Sequence, residues 1–204
     1  MTMDLFEKPS NSPEQIELPD AELLYWSHFF SMEDADQWFE KLLKCIDWQQ
    51  KSIVMYGKSV NIPRLSAWYA DENKHYTYSG EVHLAEPWTT ELLDLKMQIE
   101  QLTGVRFNSV LCNLYRDGND SVAWHSDDET ELGQNPHIAS LSFGEERSFS
   151  FRNKRDHQKK FNLSLRHGSC LLMSGTTQQN WQHQIAKSNR LMQPRINLTF
   201  RYIY

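Results

Sequence analysis

Cysteine is scarce in this chain and poorly placed for covalent or metal chemistry. Cys45, Cys112 and Cys170 are odd in number and far apart, and no Cys-x-x-Cys occurs. Neither a disulfide framework nor a thiolate zinc site is indicated. No apolar run reaches the length of a bilayer span, no secretory leader pattern is visible, and no internal repeat is found. These absences point to a reducing, cytoplasmic setting, nuclear in a eukaryote, with no membrane partner and a monomeric chain. An excess of positive charge is missing too. The net charge of −6 argues against a generic nucleic-acid binder.

The distribution of charge says more than its sum. Residues 1–50 hold Lys8, Lys41 and Lys44 against eleven Asp or Glu. Residues 147–166 hold Arg147, Arg152, Lys154, Arg155, Lys159, Lys160 and Arg166 against Asp156 alone. One reading is an acidic rear and a basic working face; the other is a solvated charged hairpin loop.

At 204 residues the chain is expected to form one domain with a substantial core. Residues 1–18 carry Pro9 and Pro13 and little periodicity, which predicts a mobile tail before a single domain over 19–204. A helix is predicted from Ser31, where Ser31 and Asp34 resemble a capping box. Ala35, Trp38, Phe39, Leu42, Leu43 and Ile46 then recur at helical spacing as a core stripe. A second helix is predicted over about Thr90 to Leu102, with Pro87 before it and Gly104 at its stop. Beyond it the predicted strands are Phe107–Tyr115, Ile138–Phe143, Ser148–Arg152, Phe161–Arg166, Ser169–Met173, a short one near His183, and Arg195–Tyr204. Helices followed by many short strands suggest an α+β fold.

His125-Ser126-Asp127 offers an imidazole and a carboxylate at i and i+2, positions that share one side of an extended segment. A second imidazole from His183 would complete a facial triad with open positions, the donor set of non-haem Fe(II) oxygen chemistry. The last strand alternates Arg195, Asn197, Thr199 and Arg201 with Ile196, Leu198 and Phe200, which is period-2 patterning. Its polar face lies either in water or in the mouth of a barrel. In the second case two Arg on one face are costly without an anion between them, and their forks match carboxylates. Asn113 and Tyr115 share a strand face just upstream of His125 and offer further donors.

Taken in order, Asn113-Leu114-Tyr115, His125-Ser126-Asp127-Asp128-Glu129, Trp181-Gln182-His183 and Arg195-x-Asn197-x-Thr199-x-Arg201 resemble the AlkB-type Fe(II)/2-oxoglutarate-dependent dioxygenases. The resemblance is to the branch that repairs alkylated DNA. Pro63-Arg64-Leu65-Ser66-Ala67-Trp68-Tyr69 and Tyr76-Thr77-Tyr78-Ser79-Gly80 resemble that branch's nucleotide-recognition lid, here about 52–80. The likeness runs from roughly residue 20 to the C-terminus. It implies a double-stranded β-helix, a form of jelly roll, with the N-terminal helices supporting one sheet.

It also implies Fe(II) on His125, Asp127 and His183, with dioxygen and 2-oxoglutarate as co-substrates. Arg201 and Asn197 would take the C1 carboxylate, with Thr199 on the same face. Arg195, Asn113 and Tyr115 would take the distal one. The implied reaction removes N-methyl groups, as in 1-methyladenine or 3-methylcytosine, and releases formaldehyde and succinate. The base would be flipped into a pocket. There Tyr78 stacks opposite the His125 ring, Tyr76 binds a phosphate or supports the lid, and Glu129 meets the base edge. Trp68 either stacks or belongs to the core. Arg64 and the 152–160 loop would contact phosphates, and Tyr56 matches the aromatic finger that wedges open a duplex. The expected partner is alkylated DNA, with methylated RNA or protein as an alternative. A non-catalytic jelly roll and a zinc hydrolase share the triad but give no reason for Arg195 and Arg201.

Overall fold

The computed structural model describes residues 12–55, 57–72, 75–78 and 81–204, and for 55, 75–78 and 81–84 it is the backbone that is described. The chain enters through strands β1 (Glu14–Ile16) and β2 (Glu22–Trp26) and helix α1 (Met32–Cys45). A hairpin of β3 (Ser52–Met55) and β4 (Lys58–Asn61) precedes β5 (Leu65–Ala70). A second hairpin, β6 (His75–Tyr78) and β7 (Glu81–Leu84), precedes helix α2 (Thr90–Thr103). Strands then dominate: β8 (Ser109–Tyr115), β9 (Val122–His125), β10 (Ile138–Gly144), β11 (Arg147–Asn153), β12 (Lys160–Leu165) and β13 (Ser169–Ser174). A one-turn helix, α3 (Thr177–Asn180), leads into β14 (Trp181–Ile185) and finally β15 (Arg195–Arg201).

A seven-stranded sheet runs β1-β2-β13-β10-β15-β8-β5, and a four-stranded sheet runs β12-β11-β14-β9. The pairings within them are antiparallel. This is the expected α+β jelly roll. Among the described residues no helix is long and apolar enough to cross a membrane.

The larger sheet sorts its side chains by parity. Ile196, Leu198 and Phe200 of β15, Ala139, Leu141 and Phe143 of β10, and Val110, Cys112 and Leu114 of β8 join Leu42, Leu92, Leu95 and Ile99 of the helices in one core. Leu171, Met173, Phe149, Phe151 and Ile185 form a second core in which the two sheets meet. Each buried aliphatic side chain contributes roughly 1.5–3 kcal/mol. A one-residue slip of β15 would therefore push its arginines into the helix-facing core. The alternation read from sequence is confirmed, with the polar face of β15 turned inward and buried.

Both helices begin and end where their capping residues lie. Ser31 Oγ accepts from Asp34 N–H at 3.1 Å and donates to its carboxylate at 2.6 Å. Asp34 thus closes the box on the hydroxyl. Thr89 caps α2, and Gly104 ends it at φ 70°, a left-handed conformation that suits glycine.

Some expectations need correction. Residues 14–16, expected within the tail, form an edge strand, because Ile16 is buried opposite Leu23. Residues 1–11 lie outside the described residues. β15 stops at Arg201 and not at Tyr204. Beyond it the Asn108 side chain takes over the ladder, accepting from Ile203 N–H and donating to Ile203 C=O.

Candidate active site

The register of the smaller sheet creates the metal-binding pair. β9 and β14 run antiparallel with His125 opposite His183. The two rings meet edge-on at 4.3 Å, and their Nε2 atoms lie 3.2 Å apart. Asp127 follows just past the end of β9, with Oδ1 3.9 Å from His125 Nε2. One donor atom from each residue lies within 4.8 Å of the others. Adjacent donors on an octahedral ion at about 2.1 Å stand about 3 Å apart, so a single divalent ion fits the three.

The protonation states suit a ligand set. His125 Nδ1 meets Ala123 C=O at 2.8 Å, which leaves Nε2 to present its lone pair. Burial, and next to it His125, push His183 down to about 3 against the pull of Asp127, so its ring is neutral. Burial pushes the Asp127 carboxyl up. Arg201, then His183 and His125, and a hydrogen bond from Arg201 outweigh that burial, and the carboxyl ends below its usual range. Two imidazoles and one carboxylate, with no thiolate, form the set that suits Fe(II).

A narrow cavity leads inward from this cluster. Asn113, Tyr115, Ser140, Arg195, Asn197, Thr199 and Arg201 line it together with the triad. Arg195 lies at 1% exposure with Nη2 on Ser142 Oγ at 2.9 Å and its guanidinium 5.2 Å from the Tyr115 ring centroid. Its Nε and Nη1 are buried without a hydrogen-bond partner among the described residues. Burial first, and Arg147 in part, bring the group down to about 10 despite Tyr115, so it stays cationic at neutral pH. A buried cation beside Tyr115, with two nitrogens lacking a geometric hydrogen bond among the described residues, suits a carboxylate.

Two of the expected carboxylate contacts are otherwise engaged. Asn197 donates both amide hydrogens, to Ser140 Oγ and Leu141 C=O, each at 2.8 Å. Its Oδ1 accepts from the Thr199 hydroxyl at 3.0 Å. Sequence placed Asn197 on the C1 carboxylate, but its donors are spent on β10. Arg201 Nη2 holds Asp127 Oδ1 at 2.6 Å, which makes it a buttress of the ligand carboxylate.

A wider cleft of about 540 Å³ adjoins the narrow cavity and shares His125 and Asp127 with it. Lys51, Ile53, Trp68, Trp124 and Glu129 are among its lining residues, and Trp68 also belongs to the second core. Arg64 lines both spaces, with Nε on Asn113 Oδ1 at 2.8 Å and Nη1 on Ser121 C=O at 3.1 Å. Arg64, expected to contact a phosphate, is buried, and these bonds hold it between the cavity and the cleft. Tyr56 lies outside the described residues, as do the side chains of Tyr76 and Tyr78.

The basic 147–166 segment is not uniform. Arg147 is buried and donates to the carbonyls of Asp117, Asp120 and Ala186. Arg152 bonds Gln182 and stacks 4.5 Å from the Trp124 ring centroid. Lys154 pairs with Asp128 at 2.7 Å. Arg155, Lys159 and Lys160 remain exposed. Sequence reasoning missed Lys51 and Ile53 on the cleft wall, Ser142 beneath Arg195, and Gln178, whose Oε1 accepts from Asp127 N–H. The Trp124 next to His125 was the one local signal available.

Comparison with known proteins places this arrangement. The model of the 2OG-Fe(II) oxygenase superfamily matches residues 22–201. This chain belongs to that superfamily. It is 44% identical over 185 residues to alpha-ketoglutarate-dependent dioxygenase alkB homolog 3 of Bos taurus, covering 86% of this chain and 64% of the relative. It is 36% identical over 184 residues to DNA oxidative demethylase ALKBH2 of Homo sapiens, covering 85% of this chain and 70% of that protein. The chain thus spans just under two thirds of the alkB homolog 3 proteins it matches. A solved structure titled "The structure of OsALKBH1" superposes with a TM-score of 0.63 over 92% of this chain and 100% of that one. At 16% identity it shows the shared fold alone. The family name states 2-oxoglutarate and Fe(II), and the His125-Asp127-His183 cluster and the partly unpaired Arg195 fit them.

Proposed function

We propose that this protein is an Fe(II)- and 2-oxoglutarate-dependent oxidative demethylase of N-alkylated bases in DNA, such as 1-methyladenine and 3-methylcytosine. The carrying observation is the triad set beside a buried, partly unpaired Arg195 in the narrow cavity and beside an adjoining wider cleft. The names of the relatives support the same reading.

His125, Asp127 and His183 would hold the iron, and Arg201 would keep Asp127 ionised and oriented. Arg195, resting on Tyr115 and Ser142, would grip the distal carboxylate of 2-oxoglutarate. When bound, iron and 2-oxoglutarate, with dioxygen as the oxidant, would supply the hydroxylation of the N-methyl group, one oxygen atom going to the methyl group and one to succinate, with carbon dioxide released. The hydroxymethyl base then sheds formaldehyde. On the cleft side, Glu129 suits a methylated base, which carries positive charge at N1 of adenine or N3 of cytosine. Trp68 and Trp124 supply apolar walls there. Arg155, Lys159 and Lys160 would hold phosphates without reading sequence.

The test is stoichiometric release of succinate and formaldehyde from a single-lesion oligonucleotide in the presence of iron and 2-oxoglutarate. The unmethylated oligonucleotide is the control, and a matched methylated RNA shows whether the cleft prefers DNA.

A further inference from the structure

Gln178 is 1% exposed, yet it makes one strong hydrogen bond: its Oε1 accepts from the backbone N–H of Asp127 at 3.0 Å. The donor is a backbone N–H, so the orientation of the amide is fixed and the bond cannot be reversed by a flip. Among the described residues, the Nε2 end meets Met173 Sδ alone, at 3.6 Å, a weak acceptor. Burying an amide for so little at one end makes sense only if the other end matters. That end is the main chain of the carboxylate ligand.

The location reinforces this. Gln178 sits on α3, five residues before His183, and α3 is pinned by Thr177, which donates to Ser174 C=O and accepts from Glu22 N–H. Ser126 Oγ ties the same two segments again by donating to Trp181 C=O at 2.9 Å. His125 and His183 are fixed to each other by strand register. Asp127 lies beyond the end of β9 and has no such ladder.

We infer that Gln178 is a positioning residue for the metal site, holding the Asp127 main chain so that its carboxylate converges with the two imidazoles. The inference rests on the metal assignment made above. Outer partners of metal ligands typically change metal affinity by about 10–100-fold when removed.

The experiment titrates the full chain with Co(II) and reads the visible d–d absorption as well as affinity. Gln178→Leu keeps the volume and loses the acceptor; Gln178→Glu keeps an acceptor oxygen. The expected result is a loss of about 10–100-fold in Co(II) affinity with an altered d–d spectrum for Gln178→Leu, and near wild-type binding for Gln178→Glu. Wild-type affinity and spectrum in Gln178→Leu overturn the inference, as does an equal loss in both variants. Should Gln178→Leu fail to fold, Gln178→Met takes its place, and failure of both makes Gln178 a folding residue and also overturns the inference. A wild-type chain that binds no Co(II) overturns the metal assignment itself.

Discussion

Replacing Arg195 with Met separates the cost of a buried charge from its use. In the ligand-free protein the guanidinium is enclosed, with Nη2 on Ser142 and two nitrogens unpaired. An uncompensated buried charge costs several kcal/mol, and exchange for an apolar side chain of similar volume is often neutral or stabilising. Arg195→Met is therefore expected to melt no lower than wild type. For a chain of 204 residues, each kcal/mol relieved raises Tm by about 2–4 °C. Binding moves the other way. A bidentate carboxylate pair comprises two charge-assisted hydrogen bonds at about 1.5–3 kcal/mol each, about 3–6 kcal/mol together. Losing it weakens 2-oxoglutarate by roughly 10²–10⁴-fold. The assay is a titration of metal-loaded protein with 2-oxoglutarate, run beside thermal melts and oligonucleotide binding. Unchanged 2-oxoglutarate affinity with lost oligonucleotide affinity would refute the reasoning, and so would a ligand-free melt several degrees lower.

His125→Ala, Asp127→Ala and His183→Ala should each abolish turnover with little change in the far-UV circular dichroism spectrum, and wild-type turnover in any one removes that residue from the ligand set. Neutralising Arg155, Lys159 and Lys160 together should flatten the slope of log K against log salt on duplex DNA by up to about 0.9 per lost contact; a slope that does not move makes the loop a solvated hairpin. Tyr56→Ala should lose activity on methylated duplex selectively, while equal loss on single strands with a lower Tm makes Tyr56 structural. Burial pushes Asp120 up, but hydrogen bonds from Arg116 and its charge outweigh this and hold the carboxyl below its ordinary 3.8. The stability this pair contributes is full above that value and lost as pH falls through the lower folded value. Urea melts of wild type and Asp120→Asn should therefore differ at neutral pH and converge in strong acid; a gap that persists there breaks the linkage.

Periodicity made the last strand legible because its two faces differ so sharply: Ile196, Leu198 and Phe200 against Arg195, Asn197, Thr199 and Arg201. The capped helices were legible for the same local reason, from Ser31 and Gly104. β5 was not, since it buries all but one residue and so shows no alternation, and β2 was not, since its Leu23-Leu24-Tyr25-Trp26 run is apolar throughout. β1 has a single buried residue, too few for any pattern. In the site, residue types and order pointed to the triad and to Arg195. Pairing did not follow from order. That Asn197 spends its donors on β10, that Arg201 holds Asp127, and that Arg64 and Arg147 turn inward are consequences of which strands become neighbours. A charge count along the chain cannot separate Arg147, bonded to three carbonyls, from Lys160 in solvent.

The most direct measurement is product formation from an oligonucleotide carrying a single 1-methyladenine, with Fe(II), 2-oxoglutarate and dioxygen. The expected result is one formaldehyde and one repaired base per lesion, with succinate formed alongside, all lost in His183→Ala. Succinate formation that ignores the oligonucleotide, with the lesion left intact, would contradict the assignment of this chain as a nucleic-acid demethylase.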